Sequence, residues 1–436
     1  MVVTTTNPST TGATASAGAG PMAGVRIIDL TTIVMAASAS QMLADLGADV
    51  IKVEGPEGDP IRRVGPFGDI GMGPMFLSSN RNKRSVVLDL KNAAGVSAFK
   101  RLLVGADVLV CNVRPAGMRR LGLTFEVMQA INPRLIYANL IGFSQRGRYG
   151  PSPAFDDLIQ AATGIPSLIA EHNDDGPRYV PMNVMDRAVG LYAFGVIASA
   201  LYARERTGTG QQVDVPMFET MVPFVLGDHF WGQKYRPARG GFGYPRIMTK
   251  ERQPYRTRDD FVCCTIYSDA NWRAFLTIIG QPEKWTDDPK LGSIAARTAN
   301  SSYTSGLVRD EMAKRTTAEW CALLLEADIP VFPVHTMASL VNDPHLTDIG
   351  FFTDLEHPAI GRYVETAVPS EWHGTTLGPL RPAPLIGEHT VEVLREAGLS
   401  NAEIDQLDAP GAARQADNSH RFSETENETD KEGADD

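Results

Sequence analysis

Short apolar runs alternate with amphipathic segments along the first third of the chain. The run GVRIIDL predicts a strand that ends at Asp29, MAASASQMLADLG predicts a helix that closes at Gly47, and a second strand follows over Val50–Val53. A strand, a helix and a strand within about thirty residues form a βαβ unit, which implies a parallel sheet. RSVVLDL, DVLVCNV and RLIYANLIGF continue the pattern as further buried strands. We therefore predict a large, doubly wound, Rossmann-like α/β domain.

The pattern turns helical from Asp156 to Arg204. One long helix contains Gly190, Tyr192, Phe194, Ile197 and Leu201 and is apolar nearly all round, which predicts burial on every side. RTRDDFVCCTIYS then predicts a hairpin, and NWRAFLTIIG and TAEWCALLLEADI predict helices. These elements predict a second, smaller α/β domain, and the chain returns to the first domain after the strand IPVFPVHTM.

The predicted domain boundaries follow from these changes in the pattern of apolar and polar residues. Residues 1–20 form a disordered leader, 21–215 the first part of the large domain, 216–335 the small domain with its linkers, 336–408 the return segment, and 409–436 a disordered acidic tail. The leader lacks the basic start and apolar core of a secretory signal. No uninterrupted apolar run approaches about 18 residues, so a membrane-spanning helix is not predicted.

Charge and cysteine content narrow the class of protein. The chain of 436 residues carries 41 Lys and Arg against 52 Asp and Glu, and this net charge of −11 disfavours nucleic acid as a partner. Cys111, Cys263, Cys264 and Cys321 lack metal-ligand spacing, so we expect no metal site and a reduced cytoplasmic compartment. The adjacent pair Cys263 and Cys264 lies in a strand-like run and is predicted to belong to the core.

Polar and basic side chains border two of the predicted strands. They are Asn80, Asn82, Lys83, Arg84 and Lys91 around RSVVLDL, and Asn112, Arg114, Arg119 and Arg120 after DVLVCNV. Ligands of open parallel sheets bind at loops that border the strands, and cations there favour a phosphate-bearing ligand. A solvated charged rim is an equally acceptable explanation. The absence of a G-x-G-x-x-G pattern argues against an ordinary dinucleotide site.

One carboxylate, Asp186, stands at the entrance to the apolar helix. As an N-cap it would accept hydrogen bonds from the first free N–H groups of that helix. The positive end of the helix dipole would also keep the carboxylate ionised. The adjacent Arg187 is open to a surface salt bridge or to the second carboxylate of a dicarboxylate substrate.

Eight blocks of the chain resemble, in the same order, the family III CoA-transferases, the group of formyl-CoA transferase and carnitine CoA-transferase. They are GVRIIDLT, LADLGADVIKVEGPEGDPIRR, NRNKRSVVLDLK, ADVLVCNVRPAGMRRLGL, INPRLIYANLIGFSQRGRYG, DDLIQAATG, VMDRAVGLYAFGVIASALYARERTGTGQQVDV and LIGEHTVEVLREAGLS. The resemblance covers Gly24 to Leu399. It implies two domains, a homodimer of interlocked chains, and an acyl-CoA and a carboxylic acid as substrates. CoA would be carried as part of the substrate, with no separate cofactor.

The same resemblance implies roles for particular residues. Asp186 matches the nucleophile, which forms an anhydride with the acyl group and then a thioester with CoA. Asp156 matches an acidic residue that orients or activates it. Gly240 and Gly241 lie where a glycine-rich loop shields the intermediates from water, although a plain surface turn explains them equally well. The matched CoA contacts are Ile33, Met35, Leu88, Lys91, Asn112, Val113 and Arg120.

Two other activities stay open at this point. The α-methylacyl-CoA racemases of the same superfamily use a histidine and an aspartate as bases, but Phe155 occupies the histidine position and a phenyl ring cannot accept a proton. His172 lies nearby in a polar stretch that predicts a loop. A catalytically silent acyl-CoA-binding protein would bind CoA without exchanging it. A cytoplasmic CoA-transferase with no membrane partner is the preferred prediction.

Overall fold

The computed structural model describes residues 19–172, 176–408 and 413–414. Most of the predicted leader and tail therefore lies outside the described residues. Two short pieces of them take part in the fold: Gly378 N donates a hydrogen bond to Ala19 O, and Ala413–Arg414 form a strand.

The elements are numbered along the chain. The strands are β1 (Arg26–Leu30), β2 (Asp49–Glu54), β3 (Arg84–Leu88), β4 (Val108–Cys111), β5 (Ile136–Ile141), β6 (Gln212–Pro216), β7 (Tyr255–Arg256), β8 (Phe261–Cys264), β9 (Val331–Pro333), β10 (Phe352–His357), β11 (Gly361–Thr366) and β12 (Ala413–Arg414). The helices are α1 (Met35–Asp45), α2 (Pro74–Asn80), α3 (Ala93–Val104), α4 (Pro115–Arg120), α5 (Phe125–Ile131), α6 (Asp156–Ala162), α7 (Ile165–His172), α8 (Val184–Thr207), α9 (Met217–His229), α10 (Pro245–Met248), α11 (Asp269–Ile278), α12 (Lys284–Asp287), α13 (Ile294–Ala299), α14 (Ser301–Met312), α15 (Thr317–Glu326), α16 (Met337–Leu340), α17 (Pro344–Asp348), α18 (Thr390–Glu396) and α19 (Asn401–Asp408). Pro60–Arg63 and Trp231–Lys234 form short 3-10 helices.

Contacts divide the described chain into two compact units. The first contains the residues up to 151, residues 186–216 and those from 353 onward, and the second contains the rest. This division differs from the sequence prediction, which placed 152–185 in the large domain and ended the small domain at 335. The difference has a packing cause, because α6 packs against α7 and α9 within the second unit.

The first unit is built on a sheet with the strand order β12-β3-β2-β1-β4-β5-β6. Strands β1 to β6 are parallel, and β12 pairs antiparallel with β3. The order runs outward from β1 to β3 on one side and from β4 to β6 on the other. The direction in which successive strands are added therefore reverses between β1 and β4, and this position is the switch point of a doubly wound sheet. The predicted α/β fold is confirmed.

A buried ionic cluster lies in the middle of this sheet. Asp29 on β1 is fully buried and accepts hydrogen bonds from Thr31 N (3.0 Å), Thr31 Oγ1 (2.5 Å), Ser40 Oγ (2.7 Å) and Lys83 Nζ (2.8 Å). Burial by itself would raise the pKa of Asp29, but the charges of Lys83 and Lys52 outweigh it and lower the pKa. Burial lowers the pKa of Lys83 to about 8 against the opposing charge of Asp29. The pair is therefore ionised at neutral pH.

Two further ion pairs extend the cluster along β2. Lys52 Nζ lies 3.0 Å from Asp59 Oδ2, with both side chains fully buried. Glu54 accepts hydrogen bonds from Arg62 Nε and Nη2, each at 2.7 Å, and from Ser85 Oγ at 2.8 Å. Burial opposes ionisation of Glu54, yet Arg62 outweighs it and lowers the pKa of Glu54 to about 2. Each buried charge thus has an opposite charge in contact, as desolvation requires.

The second unit has its own apolar core and a three-stranded sheet in the order β7-β8-β9. Its core includes Trp272, Phe275 and Trp320. Strands β7 and β8 pair antiparallel, which confirms the predicted hairpin. The core prediction for the vicinal cysteines is wrong in part, because Cys263 is exposed and Cys264 is half-buried. Neighbouring side chains of a strand point to opposite faces, so two adjacent cysteines cannot both face one core.

Helix α8 is less buried than its composition predicted. One stripe is buried and includes Met185, Val189, Ala193 and Ile197, which recur every fourth residue. Leu191, Tyr192 and Tyr202 on other faces are 61%, 56% and 66% exposed. The prediction of burial on every side is therefore wrong, since apolar composition does not tell which faces have a neighbour.

The buried ionic cluster generates a stability prediction. Lys83→Met removes the cation that is bonded to Asp29 and leaves the carboxylate buried beside a single lysine. Breaking a buried pair in this way costs about 3–5 kcal/mol. We expect the free energy of unfolding, measured with urea at neutral pH, to fall by about that amount.

Lys91→Met is the matched control, because Lys91 is exposed just beyond the same strand. Surface substitutions of this kind change stability by within about 0.5 kcal/mol. Equal stabilities for the two variants would show that the Asp29–Lys83 pair does not hold the sheet together.

Candidate active site

The loops after β1 and β4 meet at the switch point of the sheet. The Asn112 side chain joins them, since Thr32 N donates to Asn112 Oδ1 (3.1 Å) and Asn112 Nδ2 donates to Thr32 O (2.8 Å). The two hydrogen bonds occupy both ends of the carboxamide. Asn112 therefore positions the loop after β1, and any ligand at this edge contacts a fixed backbone.

The same loop holds Ile33 in a left-handed conformation with a φ of 67°. This conformation is strained for a β-branched residue and costs on the order of 1–3 kcal/mol. Ile33 N donates to Asp59 Oδ1 (3.1 Å), and Asp59 is the partner of Lys52 in the buried cluster. The Lys52–Asp59 ion pair beneath the loop thus holds Ile33 in its strained conformation.

Sequence reasoning missed Asp59. The available signal was its place before Pro60, where an N-cap aspartate is common. Asp59 does cap the 3-10 helix, because its Oδ1 also accepts from Ile61 N at 3.2 Å.

Helix α8 packs closely against α1 within the first unit. A Cβ atom added to Gly190 would lie 2.8 Å from Met35 O, so only glycine permits this approach. Met35 is the first residue of α1 and is buried. Asp186 and Arg187 lie in the first turn of α8, and Arg187 Nη1 donates to Ser38 Oγ on α1 at 3.0 Å. Asp186 is the third residue of the helix, so the N-cap interpretation is wrong.

The residues predicted to contact a ligand after β3 lie farther along the same edge. Strand β2 separates β3 from β1, which places the loop after β3 roughly 10 Å from the loop after β1. The Leu88 side chain is buried, so it can offer a ligand only its backbone. Lys91 is exposed, and its N–H donates to Asp89 Oδ1 at 3.0 Å.

Three arginines follow β4. Arg114 is the N-cap residue of α4, and Arg119 and Arg120 are its last residues. All three are exposed, and none forms an ion pair within the described residues. Val113 N donates to Cys111 Sγ at 3.4 Å. This end of β4 keeps the cationic character that favours a phosphate-bearing ligand.

The cations around the start of β3 are paired with carboxylates of the protein, so the phosphate site predicted there is wrong. Lys83 precedes β3 and Arg84 is its first residue, so both lie at the amino end of the parallel strands, opposite the switch-point loops. Arg84 pairs with Asp49 (2.7 Å), Glu392 (2.9 Å) and Glu396 (2.8 Å). Carboxylates of the protein therefore neutralise the cations that the sequence analysis assigned to phosphate.

Within this cluster the two asparagines also bind the protein itself. Asn80 Oδ1 accepts from Lys83 Nζ (2.9 Å), and Asn82 Nδ2 donates to Asp45 Oδ1 (2.6 Å).

The second unit carries the remaining predicted residues. Asp156 is buried at the start of α6, where its Oδ1 accepts from Gln160 Nε2 (2.6 Å) and its Oδ2 accepts from Met185 N (2.7 Å). Met185 directly precedes Asp186 in the chain. The carboxylate thus fixes the backbone that leads into Asp186.

Gly240 and Gly241 belong to an exposed loop of that unit. Gly240 has a φ of 148°. Its backbone lies close to Gly232, since a Cβ atom added to Gly232 would lie 2.5 Å from the Cα atom of Gly240. Gly240 O accepts from Gln233 Nε2 at 2.8 Å. The loop is therefore tied to its neighbours at one end, and its shielding role stays a prediction.

Two residues bear on the alternative activities. Phe155 is the N-cap residue of α6 and is 64% exposed. His172 is the last residue of α7 and not part of a loop, and residues 173–175 of the same polar stretch lie outside the described residues. Apolar residues at helical spacing in IPSLIAEH were the missed signal.

Residues 19–172, 176–408 and 413–414 contain no group of three or more His, Cys, Asp or Glu side chains that could hold a metal ion. Helix α8 is long and apolar enough to cross a membrane by length and composition alone. A core helix of a soluble protein passes the same test, so a single helix of this kind is weak evidence for a membrane span.

Comparison with known proteins places this arrangement among related enzymes. A sequence model described as CoA-transferase family III matches residues 22–390. The chain is 36% identical over 331 residues to an acetyl-CoA:oxalate CoA-transferase of Acetobacter aceti, covering 74% of this chain and 83% of that protein. It is 30% identical to a succinate–glutarate CoA-transferase of Agrobacterium fabrum, covering 86% and 95%. A solved CaiB/BaiF family protein of Brucella suis has a TM-score of 0.72 at 29% identity, covering 87% and 100%.

The bridge between the two loops can be tested by hydrogen exchange. Asn112→Leu keeps the size of the side chain but removes both hydrogen bonds to Thr32, whose combined loss is worth about 1–3 kcal/mol. We expect amide exchange in a peptide covering residues 31–36 to become about tenfold faster.

A peptide covering strand β5 is the internal control, because its backbone bonds do not involve Asn112. Unchanged exchange of residues 31–36 would mean that the loop is held without this bridge.

Proposed function

This chain belongs to CoA-transferase family III, and we propose that it transfers CoA between carboxylic acids through covalent intermediates on Asp186. The observation that carries the proposal is the position of Asp186 in the first turn of α8, a helix that packs on α1 through Arg187 and Gly190. The positive end of the helix dipole favours a carboxylate anion there.

Four exchanges of bonds complete the reaction. An Asp186 carboxylate oxygen attacks the acyl carbon of the donor thioester, the C–S bond breaks, and the CoA thiolate leaves with the electron pair. The thiolate then attacks the Asp186 carboxyl carbon of the mixed anhydride and releases the donor as its free carboxylate. The acceptor carboxylate attacks the resulting aspartyl thioester and again frees the thiolate. The thiolate finally attacks the acceptor carbonyl, giving acceptor-CoA and the original Asp186.

Fixed geometry supports this role for Asp186. A carboxylate is a weak nucleophile in water and improves where fixed dipoles replace its hydration. The close approach of Gly190 to Met35 O anchors the start of α8 on α1. We assign Asp156 a positioning role through its bond to Met185 N.

The CoA moiety is proposed to lie along the carboxyl edge of the sheet. Backbone atoms around Ile33 and Met35 would contact the pantetheine arm, because that loop is fixed by Asn112 and Asp59. Arg114 and Arg120 are available for phosphate oxygens. CoA enters and leaves with the substrates, so the proposal needs no separate cofactor.

We propose short dicarboxylic acids as the substrate class. The two relatives described above are named for oxalate and for succinate with glutarate, all of which carry two carboxyl groups. The compartment proposed is the cytoplasm, in keeping with four cysteines that are all free thiols.

We also propose that the protein is a homodimer of interlocked chains. Leu191 and Tyr192 on α8 are more than half exposed, and with Val196 and Val213 they line a shallow groove of the first unit. Apolar area of this kind is normally covered in a stable assembly.

Covalent chemistry at Asp186 can be trapped directly. After incubation with an acyl-CoA, hydroxylamine should convert the activated Asp186 carboxyl into a hydroxamate that peptide mass spectrometry locates. Asp186→Asn should lower CoA transfer by at least 1,000-fold while CoA binding stays within about threefold.

Asp157→Asn is the matched control, because Asp157 is an exposed aspartate near the start of α6. Full activity of the Asp186 variant, with no labelled peptide in the wild type, would remove the proposed mechanism.

Sedimentation tests the predicted homodimer. Analytical ultracentrifugation at micromolar concentration should give twice the chain mass, and dilution to nanomolar concentration should not dissociate it, because linked chains cannot separate without unfolding. A monomer at micromolar concentration would rule out the dimer.

A further inference from the structure

Arg187 occupies a position that is unfavourable for a cation. It lies in the first turn of α8, at the positive end of the helix dipole. A positive charge there costs stability, in the same measure as an anion there gains it. The C-terminal end of α8 has the favourable arrangement, because the cation Arg204 lies in the last turn, where it also pairs with Asp107 at 2.7 Å. Arg187 is thus an exception within its own helix.

No carboxylate of the described residues forms an ion pair with Arg187. Among the residues that the structure describes, the one hydrogen bond of its guanidinium runs from Nη1 to Ser38 Oγ, and the Nε–H and Nη2 donors have no acceptor there. Burial lowers the pKa of Arg187, and the negative charge of Asp186 opposes the shift. The salt bridge considered from the sequence is therefore not formed. A partly buried guanidinium with unused donors is costly unless an anion completes it.

The setting of Arg187 is rigid. Ser38, which receives its hydrogen bond, is buried on α1. Gly190 lies one turn after Arg187 on α8 and touches the α1 backbone at Met35 O. Both contacts fix the guanidinium between two helices, next to the loop proposed to hold the pantetheine arm. An arginine oriented in this way offers a planar pair of donors to a carboxylate.

We propose that Arg187 binds the distal carboxylate of a dicarboxylic acyl group and so selects dicarboxylates over monocarboxylates. This inference rests on the proposed role of Asp186, which places the acyl carbon at the start of α8. The reacting carboxyl group would face Asp186, and the second would reach the adjacent side chain. An acyl group that ends in a methyl would leave the guanidinium without its anion, and sites of that kind reject such analogues strongly.

The test compares two donors of nearly equal size in a variant that cannot react. Asp186→Asn is titrated by calorimetry with succinyl-CoA and with butyryl-CoA, which differ only in the distal group. We expect succinyl-CoA to bind at least tenfold more tightly. Asp186→Asn combined with Arg187→Gln should bring this ratio close to one, and Arg187→Lys should retain part of it because the charge remains.

Arg206→Gln in the same background is the matched control, since Arg206 is an exposed arginine at the other end of α8. The ratio should stay unchanged in it. Melting temperatures check folding, and Arg187→Gln should not lower the melting temperature because it removes a desolvated cation from the positive end of a helix.

A ratio near one in Asp186→Asn alone, or a ratio that survives Arg187→Gln, would overturn the role of Arg187. Failure of the mechanism looks different: the wild-type protein would bind succinyl-CoA selectively and yet transfer no CoA to glutarate. The two proposals can therefore fail separately.

Discussion

Pairing of buried charges in the central sheet is the constraint on which the candidate site depends. Lys83 pairs with Asp29 and Lys52 pairs with Asp59, and all four side chains are fully buried, so each charge must keep its partner in contact. Two members of these pairs also contact the loop after β1. Lys52 Nζ donates to Thr31 O, and Asp59 fixes the left-handed Ile33. The loop after β1 is therefore set by the same ions that tie β1, β2 and the start of β3 together.

A doubly wound sheet explains why that loop matters. Its switch point opens a crevice between β1 and β4, and Asn112 bridges the two sides of it. Close packing at Gly190 adds the start of α8 to this edge. There the helix dipole acts oppositely on two neighbours, since it stabilises the Asp186 anion and disfavours the Arg187 cation. A substrate that brings one electrophilic carbon and one free carboxylate would satisfy both side chains.

Much of this arrangement is predictable from the chain, for reasons that differ between elements. The parallel strands and the helices between them follow from short buried runs, since β1, β3 and β4 each contain two or more consecutive apolar residues. The placement of Asp186 near a helix start follows from the apolar run behind it. Its depth of two residues inside that helix does not, because local sequence sets helix ends only to within a residue or two.

Other features depend on partners that are distant in sequence. Arg84 finds Glu392 and Glu396 some three hundred residues away, so the sequence could not show that its charge is already neutralised. The exposed face of α8 was missed because composition does not reveal which side has a neighbour. Asp59 was missed because its role lies in the contact with Lys52 and not in its local pattern.

Trapping the enzyme during turnover would test the central claim most directly. A crystal soaked briefly with succinyl-CoA and then frozen should show electron density continuous from the Asp186 carboxyl carbon to the CoA sulfur, with the pantetheine arm against the loop after β1. CoA bound elsewhere, or bound there with its sulfur out of reach of Asp186, would contradict the account.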